Sequence, residues 1–276
     1  MKRYTFTMIL AQASGAALVF ALAIGGSGQN PVRGEPTQEN PRTRLVIGDA
    51  TLVQGNDVVT WARVRANGDI KQVGVTIPVA LFDDQPTDPG DGPAGAIASL
   101  VFPEIVRDTT FFNHFELHSN PHGHDTALGS ANPLRNSVPH FDFHFYAIDE
   151  ADVLLIPATR PGPPFVLPAL LPAGYRQPGP SIPEMGRHAA MQSAFADPGF
   201  LIADMIAGFL PNATKMHFIE PMISRELLLD RNDFGLPVPR PAVFGRTMRY
   251  PKEFTAEYDA DSDAYHFIFS GFETVK

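Results

Sequence analysis

A chain of 276 residues, 44% hydrophobic and 18% charged, can bury one sizeable core or two small ones. It has no cysteine, which excludes disulfides and thiolate ligands, so any metal site must be built from His, Asp and Glu. A net charge of −9 without a basic patch argues against a nucleic-acid partner, and 27 prolines argue against a helical bundle and for strands joined by rigid turns.

Residues 1–28 read as a secretory signal peptide. Lys2 and Arg3 form the charged start, Met8 to Ile24 an apolar run, and Gly25 to Gly28 a zone of small residues suited to cleavage. The run is short and polar-spotted for a spanning helix, which needs about 20 mostly apolar residues. The expectation is export to a periplasm or beyond, with no stable membrane insertion after cleavage; a retained anchor is the alternative. Residues 29–43 are polar and carry Pro31, Pro36 and Pro41, as a flexible tether does. Residues 44–276 are expected to form a single His-rich β domain.

Three strands are predicted at Ala50 to Val53, Val58 to Val64 and Val73 to Leu81, punctuated by Gly55-Asn56 and Asn67-Gly68. Trp61, the single tryptophan, reads as core. Residues 83–95 form a loop rich in Asp, Pro and Gly, read as solvated. Phe111 to His118 alternates, with His114, Glu116 and His118 on one polar, metal-capable face of a strand and Phe115 and Leu117 on the other. Asn120 to Asp125 is a turn carrying His122 and His124, and a polar loop follows to Val138. Pro139 to Tyr146 alternates most clearly. In a strand, His140, Asp142 and His144 share one face and Phe141, Phe143 and Phe145 the other. Six of the nine histidines fall between His114 and His144.

Asp149 to Ile156 reads as a short helix with Asp149 as N-cap, and residues 157–183 as an irregular, proline-broken wrap. Met185 to Ala196 is predicted helical with His188 in its first turn, and Pro198 to Leu210 as another short helix. Lys215 to Pro221 reads as a strand with Met216, Phe218 and Glu220 on one face and His217 and Ile219 on the other. Ser224 to Asp230 fits helix or strand. Phe254 to Tyr258 and Tyr265 to Phe269 form a closing hairpin around an acidic turn that lacks the EF-hand pattern. The sum is a mainly β fold: an antiparallel sandwich or barrel-like domain with a few short helices.

Clustered histidines without cysteine point to a His/carboxylate metal site of the zinc type. Residues i and i+4 of a strand lie ~13 Å apart, so His140 and His144 can share an ion only if the strand bends. Asp142 between them can be a ligand or the carboxylate that orients a histidine. The remaining candidates are His124 on its turn, His188, and Glu220, whose carboxylate among Phe, Ile, Pro and Met needs a positive partner. The metal-ligand candidates are therefore His124, His140, His144, His188 and Glu220, with Zn2+ or another divalent transition metal as the cofactor. His114 and His118 read as structural, and His217 and His266 more so. A buried polar network without metal is the competing account.

At Asn120 to His124, Pro139 to Tyr146, Met185 to His188, Glu220 to Met222 and Tyr250-Pro251 with its hairpin, the sequence resembles a family of exported bacterial proteins, the TTHB210-like or DUF5602 type. The octapeptide from Pro139 is the specific piece. His118 departs from the pattern, which has an aromatic before Asn-Pro. The resemblance implies a zinc-type site at these histidines and Glu220, a ring-like homo-oligomer and hydrolase activity on an unknown small-molecule ligand.

Two functions follow as expectations. One is a metal-dependent hydrolase in which zinc makes hydroxide from water near neutral pH, with Glu220 or Asp142 as base if not a ligand. The other is a non-enzymatic metal- or ligand-binding protein of a stress response. A cupin-like oxygenase is weaker, because its ligand spacing is not met. No Gly-x-Ser-x-Gly, phosphate-binding glycine loop or His-Glu-x-x-His is present.

Overall fold

The structure is a computed structural model and describes residues 43–88, 90, 92, 95–123, 138–192 and 203–276. The expected signal peptide, all of the tether but its last residue, and His124 lie outside those residues. Among the described residues no helix is long and apolar enough to cross a membrane.

The described residues are mainly β, as their alternating segments predict, with antiparallel sheets and four short helices. The first sheet holds β1 (Thr43–Val53), β2 (Asn56–Arg65), β3 (Ile70–Pro78), β11 (Phe234–Pro237), β13 (Glu253–Asp259) and β14 (Ala264–Ser270), in the order β1-β2-β3-β14-β13-β11. The second holds β4 (Ala98–Val101), β5 (His114–Asn120), β6 (His140–Tyr146), β7 (Ser181–Ile182), β8 (Gly186–Ala189), β9 (Ala203–Phe209) and β10 (Met216–Ser224), in the order β4-β5-β6-β10-β9-β8-β7. β12 (Met248–Tyr250) pairs with β15 (Glu273–Val275). The helices are α1 (Ala80–Asp83), α2 (Glu104–Thr109), α3 (Glu150–Val153) and α4 (Arg225–Leu229).

The turns follow from backbone chemistry. Gln54 and Gly55 both have positive φ, 49° and 80°, so β1 and β2 join through a two-residue turn of the hairpin type. Ser224 resolves the ambiguity after β10: its Oγ accepts from the Leu227 N–H at 3.3 Å and caps α4. Asp149 stands at the N-terminus of α3, but its carboxylate takes the Asn113 amide at 2.6 Å rather than capping the helix.

The core lies between the two large sheets. Phe143 and Phe145 of β6 meet Phe267 and Phe269 of β14, with ring centroids 4.4 and 4.9 Å apart. All four rings are fully buried, and Phe82 of α1 adds an edge contact to Phe141 at 5.0 Å. Trp61 is buried but on the outer face of its sheet. It lies over Gly74, where a Cβ would sit 2.5 Å from the indole, and donates Nε1–H to Thr76 Oγ1 at 2.9 Å.

Two expectations fail. The segment predicted as a helix from Met185 carries strand β8, and the segment predicted as a helix from Pro198 carries β9. The local composition favours helix, but Gly186 has φ +115°, which opens an extended path, and both segments pair in the sheet. His188 therefore sits on a strand.

Candidate metal centre

The inward face of β6 is hydrocarbon, so its other face must carry His140, Asp142, His144 and Tyr146. All four residues are nonetheless buried. β6 pairs with β5 without a register break, setting Glu116 opposite His144, His118 opposite Asp142 and His114 opposite Tyr146. On the other side β10 pairs Ile219 with Phe145 and Met222 with Asp142, which brackets Glu220 and puts it beside His144. One polar face thus spans three adjacent strands.

His188 arrives from β8, two strands from β10. It pairs with Gly208 of β9, which in turn pairs with Phe218. Glycine is required there: a Cβ on residue 208 would lie 2.0 Å from the Phe218 ring. Phe218 lies across this gap, 5.0 Å from the His188 ring and 5.0 Å from the His144 ring.

His144, His188 and Glu220 converge, each offering one donor atom, with all three atoms within 4.8 Å of one another. Glu220 Oε2 is 3.4 Å from His188 Nε2 and 3.6 Å from His144 Nε2. These separations are long for hydrogen bonds. They match the edge of a tetrahedron built from bonds of about 2.0–2.1 Å, which is ~3.3 Å. The His188 Nδ1 lies 3.2 Å from the Gly186 carbonyl, which can only accept, so Nδ1 carries the proton and Nε2 turns a lone pair towards Glu220. Both ring nitrogens of His144 and Oε2 of Glu220 are buried without a hydrogen-bond partner among the described residues. Native interiors rarely leave three such atoms in one place.

The electrostatics agree. Burial first, then the nearby His118 and His188, hold His144 well below the usual imidazole range, so it is the neutral ring a metal needs. Burial, with Asp142 adding to it, pushes Glu220 well above the usual carboxylate range. Without a cation Glu220 keeps its proton; a bound divalent ion would displace it. The His188 side chain is 23% exposed while those of His144 and Glu220 are 0% and 2%, so solvent reaches the trio from the β8 side.

His140 stands apart from this trio. β6 runs in unbroken register with β5, positions i and i+4 of a strand lie ~13 Å apart, and His140 is not one of the three residues whose donor atoms converge. Its Nδ1 donates to the Val138 carbonyl at 2.6 Å and its Nε2 is 3.4 Å from Asp142 Oδ1. Asp142 also accepts from the Asn120 amide at 2.8 Å. His124 lies outside the described residues; the turn leading to it closes with Gly123 N–H donating to the Asn120 carbonyl.

Two features were legible in the sequence only in part. Glu116 is buried between His114 and His118, each Nε2 3.3 Å from one of its oxygens. Burial pushes its carboxyl up, but the two histidines outweigh that and hold it below the usual range. The alternation at His114, Glu116 and His118 was the signal. The second is a β-bulge between Met216 and Phe218. It leaves His217 beside the Tyr146 ring at 6.0 Å, where strict alternation puts it on the opposite face from Phe218. His217 Nε2 donates to the Met185 carbonyl at 2.7 Å, and burial pushes its pKa down to about 3.

A surface depression of about 450 Å3, lined by Asp83, Asp84, Gln85, Pro121, Pro139 and Arg225, shares none of the trio's residues. Its cation is already engaged: Arg225 donates to the Phe82 and Asp83 carbonyls at 2.7 Å each. The buried trio is the better candidate site. Comparison with protein-family models, with curated proteins and with solved structures finds no match to this chain.

Proposed function

We propose that this is an exported metal-binding protein whose His144–His188–Glu220 centre holds zinc, or a similar divalent transition ion, and activates water for hydrolysis of a small-molecule ligand. The observation that carries the proposal is three donor atoms within 4.8 Å of one another on one sheet face, with the His144 nitrogens and Glu220 Oε2 buried and without a hydrogen-bond partner among the described residues. Two imidazoles and one carboxylate are a ligand set used by catalytic zinc, with the next position held by water. Such an ion lowers the pKa of bound water to about 7. His188 is the ligand nearest solvent, and substrate would approach along its side. Export rests on the N-terminal sequence pattern alone. The ring-like homo-oligomer rests on the family resemblance alone.

A second reading keeps the ion and drops the reaction. The trio ties β6, β8 and β10 together, and its near-complete burial suits an ion that stabilises the fold or is simply carried. The test is elemental analysis of purified protein, followed by His144→Ala. Loss of one bound metal with loss of turnover on a panel of ester and amide substrates supports the hydrolase. Metal loss with a large drop in melting temperature and no turnover in the wild type supports the second reading. A wild-type protein without bound transition metal refutes both.

A further inference from the structure

β1 carries hydrocarbon on both of its faces. Val46 and Val53 pack into the core, while Leu45, Ile47 and Leu52 are 56%, 55% and 67% exposed. The register puts these three on the outer face of the first sheet: Leu45 stands opposite Arg63, Ile47 opposite Trp61 and Leu52 opposite Asp57. On β2 those outward positions alternate with Val58, Ala62 and Val64 of the core. A strand that is apolar on both sides is the pattern of one covered on both sides. Single exposed apolar residues are ordinary; a row of three along one strand marks a surface that something covers.

The edge of β1 is not free to add a further strand along its length. Asp49 Oδ2 accepts the Val101 N–H at 3.2 Å, and Thr60 Oγ1 donates to the Val101 carbonyl at 2.7 Å. These bonds tie the middle of β1 to β4, so a partner meets the outward face rather than the strand's backbone.

The charges beside that face select the partner. The outward row of β2 reads Asp57, Val59, Trp61, Arg63, Arg65. The acid lies four residues before Trp61 and the last cation four residues after it, ~13 Å to either side. Asp57 and Arg65 are exposed and make no ion pair among the described residues. Arg63 turns inward, its guanidinium carbon 6.0 Å from the Trp61 ring centroid. A row that is negative at one end, apolar in the middle and positive at the other complements its own reverse.

We infer that the outer face of β1 and β2 is the contact between two copies of this chain, packed face to face about a two-fold axis at Ile47 and Trp61. The axis sets Asp57 of each copy against Arg65 of the other and brings the two Ile47 side chains together. Aligned sheets pack about 10 Å apart, a gap that the outward leucines and isoleucines fill. The contact closes at two copies, needs no metal and draws nothing from the family resemblance. The rival occupant is an anionic lipid surface attracted by Arg63 and Arg65; Asp57 in the same row and a net charge of −9 oppose it.

The test is sedimentation velocity of the mature chain over a dilution series, where a reversible two-copy particle is expected. Ile47→Asp should raise its dissociation constant by about 30-fold or more. Asp57→Arg should raise it about 10-fold, and Asp57→Arg with Arg65→Asp should return it to within about 3-fold of the wild type. Leu52→Asp repeats the first test if Ile47→Asp does not fold by circular dichroism. A monomer at every concentration overturns the inference, and a monomer that sediments with phosphatidylglycerol vesicles unless Arg63 is replaced by glutamine gives the face to lipid instead. An assembly of any size that the aspartate variant leaves intact also overturns it, as does a double swap that restores nothing. A larger ring that the aspartate variant splits into smaller units supports it, with this face as a two-fold contact within the ring.

Discussion

Replacing Glu220 by glutamine separates the metal from the fold. Glu220 is 1% exposed, and burial keeps its side chain protonated when no ion is bound. Glutamine has the same shape and the same zero charge, so the metal-free variant should melt within about 1 kcal/mol of the wild type. The difference appears on adding zinc. At a free concentration of 100 times the dissociation constant, a bound ion stabilises the fold by about 2.7 kcal/mol. For a domain of this size that raises the melting temperature by roughly 5–11 °C. The wild type should show that rise in scanning fluorimetry, chelator should abolish it, and Glu220→Gln should lack it.

The pH dependence has a definite sign. The folded, metal-free state binds a proton at Glu220 that the unfolded chain releases above its ordinary value of 4.5. Metal-free stability therefore falls as pH rises above 4.5, towards the raised folded value, and glutamine removes that slope. The zinc-induced gain should correspondingly grow with pH. A Glu220→Gln protein that keeps the zinc shift, or whose metal-free form has lost several kcal/mol, refutes the assignment of Glu220 as a neutral side chain awaiting an ion.

Three further outcomes are expected. Gly208→Ala forces the Phe218 ring aside and should cost about 1–3 kcal/mol by denaturant titration, with weaker zinc binding because His188 loses its path. His217 is neutral in the fold with a pKa of about 3, so stability is lost as pH falls from 6.5 towards 3 at up to ~1.4 kcal/mol per unit; His217→Gln should lower the acid-unfolding midpoint. Phe143→Ala opens a cavity against Phe267 and should cost about 3–5 kcal/mol, measured by urea unfolding.

What the sequence made legible depended on the length scale of the pattern. Alternation from Pro139 to Tyr146 identified β6, its two faces and its phenylalanine side, because side chains in a strand alternate whatever their partners are. The closing hairpin was legible for the same reason. β8 and β9 were not. Ala189, Ala190, Met191 and Gln192 favour helix locally, and the pairing of β8 with β7 and β9, and of β9 with β10, overrides the local preference. Gly186 ahead of them was the available warning. The convergence of His144 with Glu220 was legible as a chemical need, a carboxylate set among apolar neighbours, but not as geometry. The register that meets the need depends on pairing across more than 70 residues. Glu116 was legible as part of a polar face with His114 and His118, but not as the carboxylate held between the two rings, which depends on side-chain positions that alternation does not fix.

His144, His188 and Glu220 ride on strands far apart in the chain, and β6 and β10 become neighbours only when the seven-stranded sheet has assembled. No short piece of this polypeptide can gather them beforehand. An ion bound there would thus be a late guest in a finished house, not a seed around which the chain condenses. Stripping it should leave a vacancy of the same shape, ready to be filled again without refolding.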